Sequence, residues 1–183
     1  MARTFICAAL MTILFMAPAR ADQTDRQLGS LFSKLQQAKE LSQAQVIENR
    51  IWKIWHVHDD PQVDRQMAVG IISMQQGALK KSLAAFDRVV EMAPDFAEGW
   101  NKRATVYYMM RRYSASVADI QRTLDLEPRH FGALSGLGLI FDAIGNGEAA
   151  VKVWERALNI HPNMLGIRTR MQELKRELTG PPT

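Results

Sequence analysis

Residues 97–128 read AEGWNKRATVYYMMRRYSASVADIQRTLDLEP, and the rest of the 183-residue chain is organised around this stretch. A shift of 34 residues in either direction places it over a similar sequence, with proline on proline, small residue on small residue and bulky residue on bulky residue. The aligned sets are Pro94, Pro128 and Pro162; Gly70, Ala104 and Gly138; Ser82, Ser116 and Ala150; and Phe86, Ile120 and Trp154. A fixed period of this length indicates stacked supersecondary units.

The three copies carry a recognisable pattern of aromatic, small and proline positions. The middle copy supplies Trp100, Ala104, Tyr107, Ser116, Ile120 and Pro128; the third supplies Leu134, Leu137, Gly138, Phe141, Ala150, Trp154, Ala157 and Pro162; and the first supplies Val69, Gly70, Ser82, Phe86 and Pro94. This pattern resembles the tetratricopeptide repeat, a helix–turn–helix unit of proteins that bind other proteins. The main departure is Arg103, which stands where the family usually has leucine.

The pattern has a physical reason, which predicts an all-α fold. Two antiparallel helices approach closely only where side chains are small, and bulky residues fill the space around those contacts. Proline ends each second helix because it lacks the N–H donor. The resemblance implies a right-handed α-solenoid with repeats at 63–96, 97–130 and 131–164. Residues 165–179 are predicted to form a C-terminal capping helix, followed by a tail at 180–183.

Residues 22–62 precede the first clear repeat. Apolar residues at helical spacing predict two helices between 28 and 58, but the small contact positions of the repeat are missing. We interpret this segment as a degenerate helical pair or N-terminal cap, whose aromatic-rich second helix would seal the end of the solenoid. The sequence His56-Val57-His58-Asp59-Asp60 contains residue types that bind metals, but no spacing supplies a third ligand, which favours a solvated helix end.

Residues 1–21 read as a secretory signal peptide. A short basic start is followed by an uncharged, mostly apolar run from Thr4 to Ala17 and by the small-residue cleavage motif Ala19-Arg20-Ala21. The run is too short for a membrane span, which needs about 20 residues. The sequence therefore predicts a periplasmic protein that begins at Asp22 and is not stably inserted in the membrane. The alternative is an inner-membrane anchor formed by an uncleaved signal.

Composition excludes several functional classes. The net charge of the chain is +4, and removal of Arg3 and Arg20 with the signal would lower it to about +2, too little to indicate nucleic-acid binding. Cys7 is the only cysteine, so the processed chain would have no thiolate ligand or thiol nucleophile. No catalytic motif is found. The prediction is a protein that is not an enzyme, with no cofactor and no metal site.

The candidate binding surface is implied by the resemblance. Positions 2, 5, 9 and 12 of each first helix share one face, which in tetratricopeptide proteins forms a concave groove for a partner's peptide. Together with Lys102 beside it, this face collects Asp64, Met67, Ile71, Met74, Glu98, Asn101, Thr105, Tyr108, Ser135, Leu139 and Asp142. Met67 and Ile71 occupy positions where the family's carboxylate clamp has Lys and Asn. We therefore do not predict binding of a free C-terminal carboxylate.

The resulting functional hypothesis is a scaffold or adaptor in a cell-envelope complex, which holds a protein or peptide partner. The alternative is an accessory or regulatory subunit of a periplasmic enzyme complex.

The repeat pattern also leads to two structural expectations. Phe86 and Trp154 should be buried between helices. Arg103 should form an ion pair, with Asp87, Asp119 and Glu127 as candidates. The alternative is that the aliphatic part of its side chain packs against the core while the guanidinium group reaches water.

Overall fold

The computed structural model describes residues 23–180, and within them the chain forms nine helices and no strand. The helices are α1 (Gln27–Gln37), α2 (Leu41–Trp55), α3 (Pro61–Gln75), α4 (Leu79–Met92), α5 (Ala97–Met109), α6 (Tyr113–Leu126), α7 (Phe131–Ala143), α8 (Gly147–Ile160) and α9 (Leu165–Thr179). The pairs α3–α4, α5–α6 and α7–α8 pack as antiparallel units that stack in chain order. This arrangement confirms the predicted all-α solenoid of helical repeats.

The contact between the two helices of each repeat depends on one small and one bulky residue. A Cβ atom on Gly70 would lie 2.5 Å from the ring of Phe86, and one on Gly138 would overlap the indole of Trp154. The middle repeat has Ala104 where the others have glycine, and its bulky partner is the smaller Ile120. Phe86 and Trp154 are fully buried, as predicted. The small residue is therefore glycine where the covering side chain is large, and alanine where the covering side chain is smaller.

The turns inside the three repeats share one backbone geometry. Gly77, Arg111 and Gly145 are spaced by 34 residues and have φ angles of 72°, 57° and 78°. This left-handed conformation is natural for glycine but costs energy in a residue with a Cβ atom. Arg111 is the only non-glycine residue with positive φ in the described part of the chain.

The α9 helix packs against α8 at the C-terminal end of the stack. Met171 and Leu174 join Ala150 and Trp154 in one buried cluster. Among the helices of residues 23–180, none is both long and apolar enough to span a lipid bilayer. The predicted signal peptide lies outside the described residues.

The α1–α2 pair does not stack in front of α3 as expected. It lies instead against the chain segments that join α6 to α7 and α8 to α9. Its core includes Trp55 and Ile51 together with Phe131 of α7, and Ile160 and Met164 pack against that core. Two hydrogen bonds fix the position: Gln36 donates to the carbonyl of Asn159, and Asn163 donates to that of Ala38.

Among the described residues, none covers the outer face of α3 after this docking. The physical reason is that the large aromatic residues of α2 find partners across the chain rather than on α3. Trp55 stacks on His130 with ring centroids 4.1 Å apart, and Trp52 meets Phe131 edge-on. The pair therefore braces the side of the solenoid, whereas a cap would close its end.

Candidate functional site

An open cavity of about 340 Å³ lies between α5 and α7, with α6 forming its floor. Its lining residues are Asn101, Ala104, Thr105, Tyr108, Met109, Ser116, Ile120, Gly132, Ser135, Gly136 and Leu139. Five of these, Asn101, Thr105, Tyr108, Ser135 and Leu139, belong to the binding face derived from the sequence. We call this cavity the α5–α7 groove.

The α5–α7 groove is lined by uncharged side chains. Its polar groups differ in what they offer to a ligand. Thr105 donates to the carbonyl of Asn101 and is already used within α5. The hydroxyl groups of Tyr108 and Ser135 form no hydrogen bond with other described residues, so both are available to a bound group. The groove therefore combines apolar surface with two unpaired hydroxyl groups.

Asn101 is fixed by a carboxylate buried behind it. Its Nδ2 donates to Oε2 of Glu98 at 2.8 Å, which leaves its side-chain oxygen as a hydrogen-bond acceptor. Asn101 is 7% exposed and Glu98 only 1%. The orientation of this amide is thus set by the protein before any partner binds, which reduces the entropy lost on binding.

Glu98 is surrounded by three basic side chains from three elements. Lys102 lies 3.0 Å from its Oε1, His56 lies 3.2 Å from the same oxygen, and His130 lies 3.0 Å from Oε2. Nδ1 of His130 accepts from the backbone N–H of Ala133 at 3.1 Å, so its proton is on Nε2 and is donated to Glu98. The cluster joins α2, α5 and the start of α7.

The environment of Glu98 has opposing effects on its pKa. Burial alone would raise the pKa, because it disfavours the charged form. The charge of Lys102 and the hydrogen bond from His130 act in the other direction and lower the pKa from 4.5 to about 2. Glu98 is therefore an anion throughout the physiological pH range.

The end of α2 lies beside Gly132, at one end of the groove. The ring of Trp52 lies against Gly132, where a Cβ atom would be 2.6 Å from it. Lys102 lies over the same ring, 5.5 Å from its centroid. Lys102 and Glu98, both assigned to the binding face from the sequence, are thus occupied with each other and with α2. This pairing has no signature in the sequence, because α2 has no place in the 34-residue register.

The remaining residues of the predicted face lie outside the groove. Met67 is 2% exposed in the core between α3 and α4, and Ile71 and Met74 pack against the same core. Asp64 accepts a hydrogen bond from the backbone of His58 at 2.9 Å. Asp142 forms a two-point pair with Arg170 of α9, at 2.8 and 2.9 Å. These five side chains have structural contacts of their own.

Arg103 forms the ion pair predicted for it. Its Nε and Nη2 donate to the two carboxylate oxygens of Asp119 at 2.7 and 2.8 Å, and its Nη1 donates to Asp87 at 3.0 Å. The third candidate, Glu127, pairs with Arg129 instead. Arg103 therefore ties α5 to α6 of its own repeat and to α4 of the repeat before it.

The histidines at the end of α2 have protein partners. His56 faces Glu98, and Nδ1 of His58 accepts from the backbone N–H of Asp60 at 3.0 Å. Across residues 23–180, no group of three or more His, Cys, Asp and Glu side chains is arranged to hold a metal ion.

The stacked helical pairs and the open groove between α5 and α7 define a helical-repeat protein. The tetratricopeptide repeat model matches residues 101–164. A TPR repeat-containing protein of Rhizobium etli is 33% identical over 155 residues, which cover 85% of this chain and 76% of that relative. The chain belongs to the tetratricopeptide repeat family.

Solved structures share the fold at low sequence identity. The first TPR domain of Spaghetti (RPAP3), bound to the HSP90 peptide SRMEEVD, aligns with a TM-score of 0.63 at 20% identity, over 68% of this chain and 98% of that one. The Sgt2 TPR domain of Aspergillus fumigatus aligns with a TM-score of 0.62 at 18% identity, over 68% and 87% of the two chains.

Proposed function

We propose that this protein is a non-catalytic interaction module that holds a partner's peptide segment in the α5–α7 groove. One observation carries the proposal: an open cavity is lined by apolar surface, two unpaired hydroxyl groups and the pre-oriented amide of Asn101. Pre-formed concave surfaces with a few placed polar groups are typical of binding sites. The related TPR domain bound to an HSP90 peptide supports a peptide as the class of ligand.

The chemistry of the groove specifies the kind of segment. The lining has no cation to pair with an acidic side chain or a terminal carboxylate, and Lys102 is already paired with Glu98. An uncharged segment with small or apolar side chains fits this surface. Its backbone amides can pair with the side-chain oxygen of Asn101 and with the hydroxyl groups of Tyr108 and Ser135. This ligand differs from the acidic SRMEEVD peptide of the structural relative.

The proposed location is the bacterial periplasm, and it rests on the signal-like sequence of residues 1–21. Mass spectrometry of the N-terminus in an envelope fraction tests it. A chain that begins at Asp22 in the soluble periplasmic fraction supports the proposal. A chain that retains Met1 and sediments with membranes contradicts it.

Capture of partners from envelope extract tests the groove. The test variant carries Tyr108→Ala and Ser135→Ala, which remove the two hydroxyl groups without breaking an internal hydrogen bond. Asn101→Ala is less suitable, because the loss of its bond to Glu98 would disturb the buried cluster. The matched control replaces three exposed residues on the second helices with alanine: Arg88, Arg122 and Arg156.

The wild-type protein and the arginine control should capture the same partner, and the groove variant should lose it. Capture by the groove variant but not by the arginine control would contradict the proposal. If the captured partner is an enzyme whose rate changes on binding, the protein acts as a regulatory subunit through the same groove.

A further inference from the structure

The outer face of α3 presents apolar residues at positions that are buried elsewhere in the solenoid. Ile72, Val106 and Ile140 occupy the same place in the three repeats, 34 residues apart. Val106 is 0% and Ile140 1% exposed, whereas Ile72 is 53% exposed. The same position is therefore buried in the second and third repeats and exposed in the first.

The preceding repeat explains the difference. Val106 packs in a cluster with Phe86 and Val89 of α4, and Ile140 packs in a cluster with residues of α6. Within residues 23–180, Ile72 has no such neighbour, because α1 and α2 are docked on another side of the molecule. Val69, one turn before Ile72 on the same face, is 39% exposed. A solenoid end that is not closed by a polar surface favours association.

The charged residues around this face indicate which kind of partner it would bind. Exposed Asp59 and Asp60 precede α3 and Asp64 lies in its first turn, so the beginning of the helix carries a net negative charge although Arg65 is exposed there too. Exposed Lys80 and Lys81 follow the turn that ends α3, so its other end is basic. Asp60 caps α3, and none of Asp59, Asp60, Lys80 and Lys81 forms an ion pair within the described chain. Negative charge at the beginning of α3 and positive charge beyond its end, in the first turn of α4, make this face complementary to an antiparallel copy of itself.

We propose that the α3 face, defined here as Val69, Ile72 and the charged ends around them, is a two-fold interface between two copies of this chain. In this dimer the α3 helices lie antiparallel. The apolar residues meet near the axis, and the acidic end of each helix faces the basic end of the other. A two-fold contact uses the same patch on both copies, which a self-complementary face provides. This interface is separate from the α5–α7 groove and leaves it open.

Sedimentation velocity of the purified protein tests the proposal. The fraction of wild-type protein that sediments as a dimer should rise with protein concentration. Ile72→Lys should raise the dissociation constant of the dimer at least about 10-fold. The matched control is Ile144→Lys, since Ile144 is 54% exposed and lies at the turn between α7 and α8. This control should dimerise like the wild type. Circular dichroism checks that both variants remain folded.

Charge reversal tests the antiparallel arrangement. Asp59→Lys should weaken the dimer, and so should Lys80→Glu combined with Lys81→Glu. All three changes together should restore it, because the attractive contacts are recreated with opposite signs. A wild-type protein that is monomeric at all concentrations overturns the proposal, as does a dimer that Ile72→Lys leaves unchanged. A dimer that the triple reversal fails to restore overturns the antiparallel arrangement.

Discussion

The side-chain amide of Asn101 donates from Nδ2 to Oε2 of Glu98 across 2.8 Å, so a residue of the groove wall is held by a carboxylate that water does not reach. Glu98 in turn binds Lys102, His130 and His56. The groove is therefore supported from behind by a buried cluster to which the N-terminal helices contribute. Disturbing that cluster should affect both stability and binding.

The first prediction concerns the pH dependence of this support. The pKa of Glu98 is lowered from 4.5 to about 2 in the folded protein. A lowered carboxyl pKa stabilises the folded state above the unfolded pKa, and this contribution is lost as the pH falls through the folded pKa. Glu98→Gln should therefore lower the free energy of unfolding by about 3 kcal/mol at pH 7.

Urea unfolding at a series of pH values measures the effect. The difference between wild type and Glu98→Gln should shrink as the pH falls from about 4.5 toward 2. Glu91→Gln is the control, because Glu91 is exposed and should show only a small difference at any pH. A large difference for Glu98→Gln that does not change with pH would be inconsistent with this account.

The second prediction concerns Arg103. Asp119 is 4% exposed, so removing its partner leaves a buried carboxylate without compensation. Arg103→Leu should therefore destabilise the protein by about 3 kcal/mol, even though leucine is the usual residue of the family at this position. Asp87→Asn is the control: this carboxylate is 50% exposed, and its loss should cost under about 1 kcal/mol. Stabilisation by Arg103→Leu in thermal unfolding would disprove a structural role for the pair.

The third prediction tests the match between small and bulky residues. Gly138→Ala should destabilise the protein by about 1–3 kcal/mol, because the new methyl group overlaps the indole of Trp154. Trp154→Ile should also destabilise it by leaving a cavity. The double variant recreates the Ala104–Ile120 pair of the middle repeat, so its cost should fall below the sum of the single costs by at least about 1 kcal/mol. The free energies of unfolding are measured by chemical denaturation. A cost of the double variant equal to the sum of the two single costs would contradict a match between the small and the bulky residue.

The fourth prediction concerns the turn at Arg111. Its φ of 57° is the conformation that Gly77 and Gly145 adopt in the other repeats. Arg111→Gly should raise the free energy of unfolding by about 1 kcal/mol, because it removes the strain of a Cβ atom in the left-handed region. Gly145→Ala should have the opposite effect of similar size. A lower melting temperature for Arg111→Gly would contradict this prediction. It would show that contacts of the arginine side chain stabilise the fold by more than the left-handed backbone destabilises it.

The 34-residue period was sufficient to predict the repeat helices, the buried aromatic residues and the ion pair of Arg103. These features depend on contacts inside a repeat or between neighbouring repeats, which a periodic sequence encodes directly. Five residues that line the groove belong to the face that the resemblance implied, and their role in binding stays a prediction. The turn geometry of Gly145 could be read from the sequence, because glycine tolerates positive φ.

The docking of the α1–α2 pair could not be predicted in this way. The contact between Glu48 and His161 spans 113 residues and follows no period. Because that docking buries Glu98 and engages Lys102, the face expected from the sequence is longer than the groove in the structure. Met67 was assigned to the groove from its register, although in the structure it fills the core of the first repeat.

The central claim is that a partner lies in the α5–α7 groove, and site-specific photo-crosslinking tests it most directly. A photoreactive phenylalanine analogue would replace Leu139 in the groove or Arg122 on an exposed face of α6. Both proteins would be illuminated in envelope extract, and crosslinked products would be identified by mass spectrometry. We predict that the probe at position 139 crosslinks to a partner segment without charged residues and that the probe at position 122 does not. Crosslinks from position 122 in the absence of any from position 139 would contradict the claim.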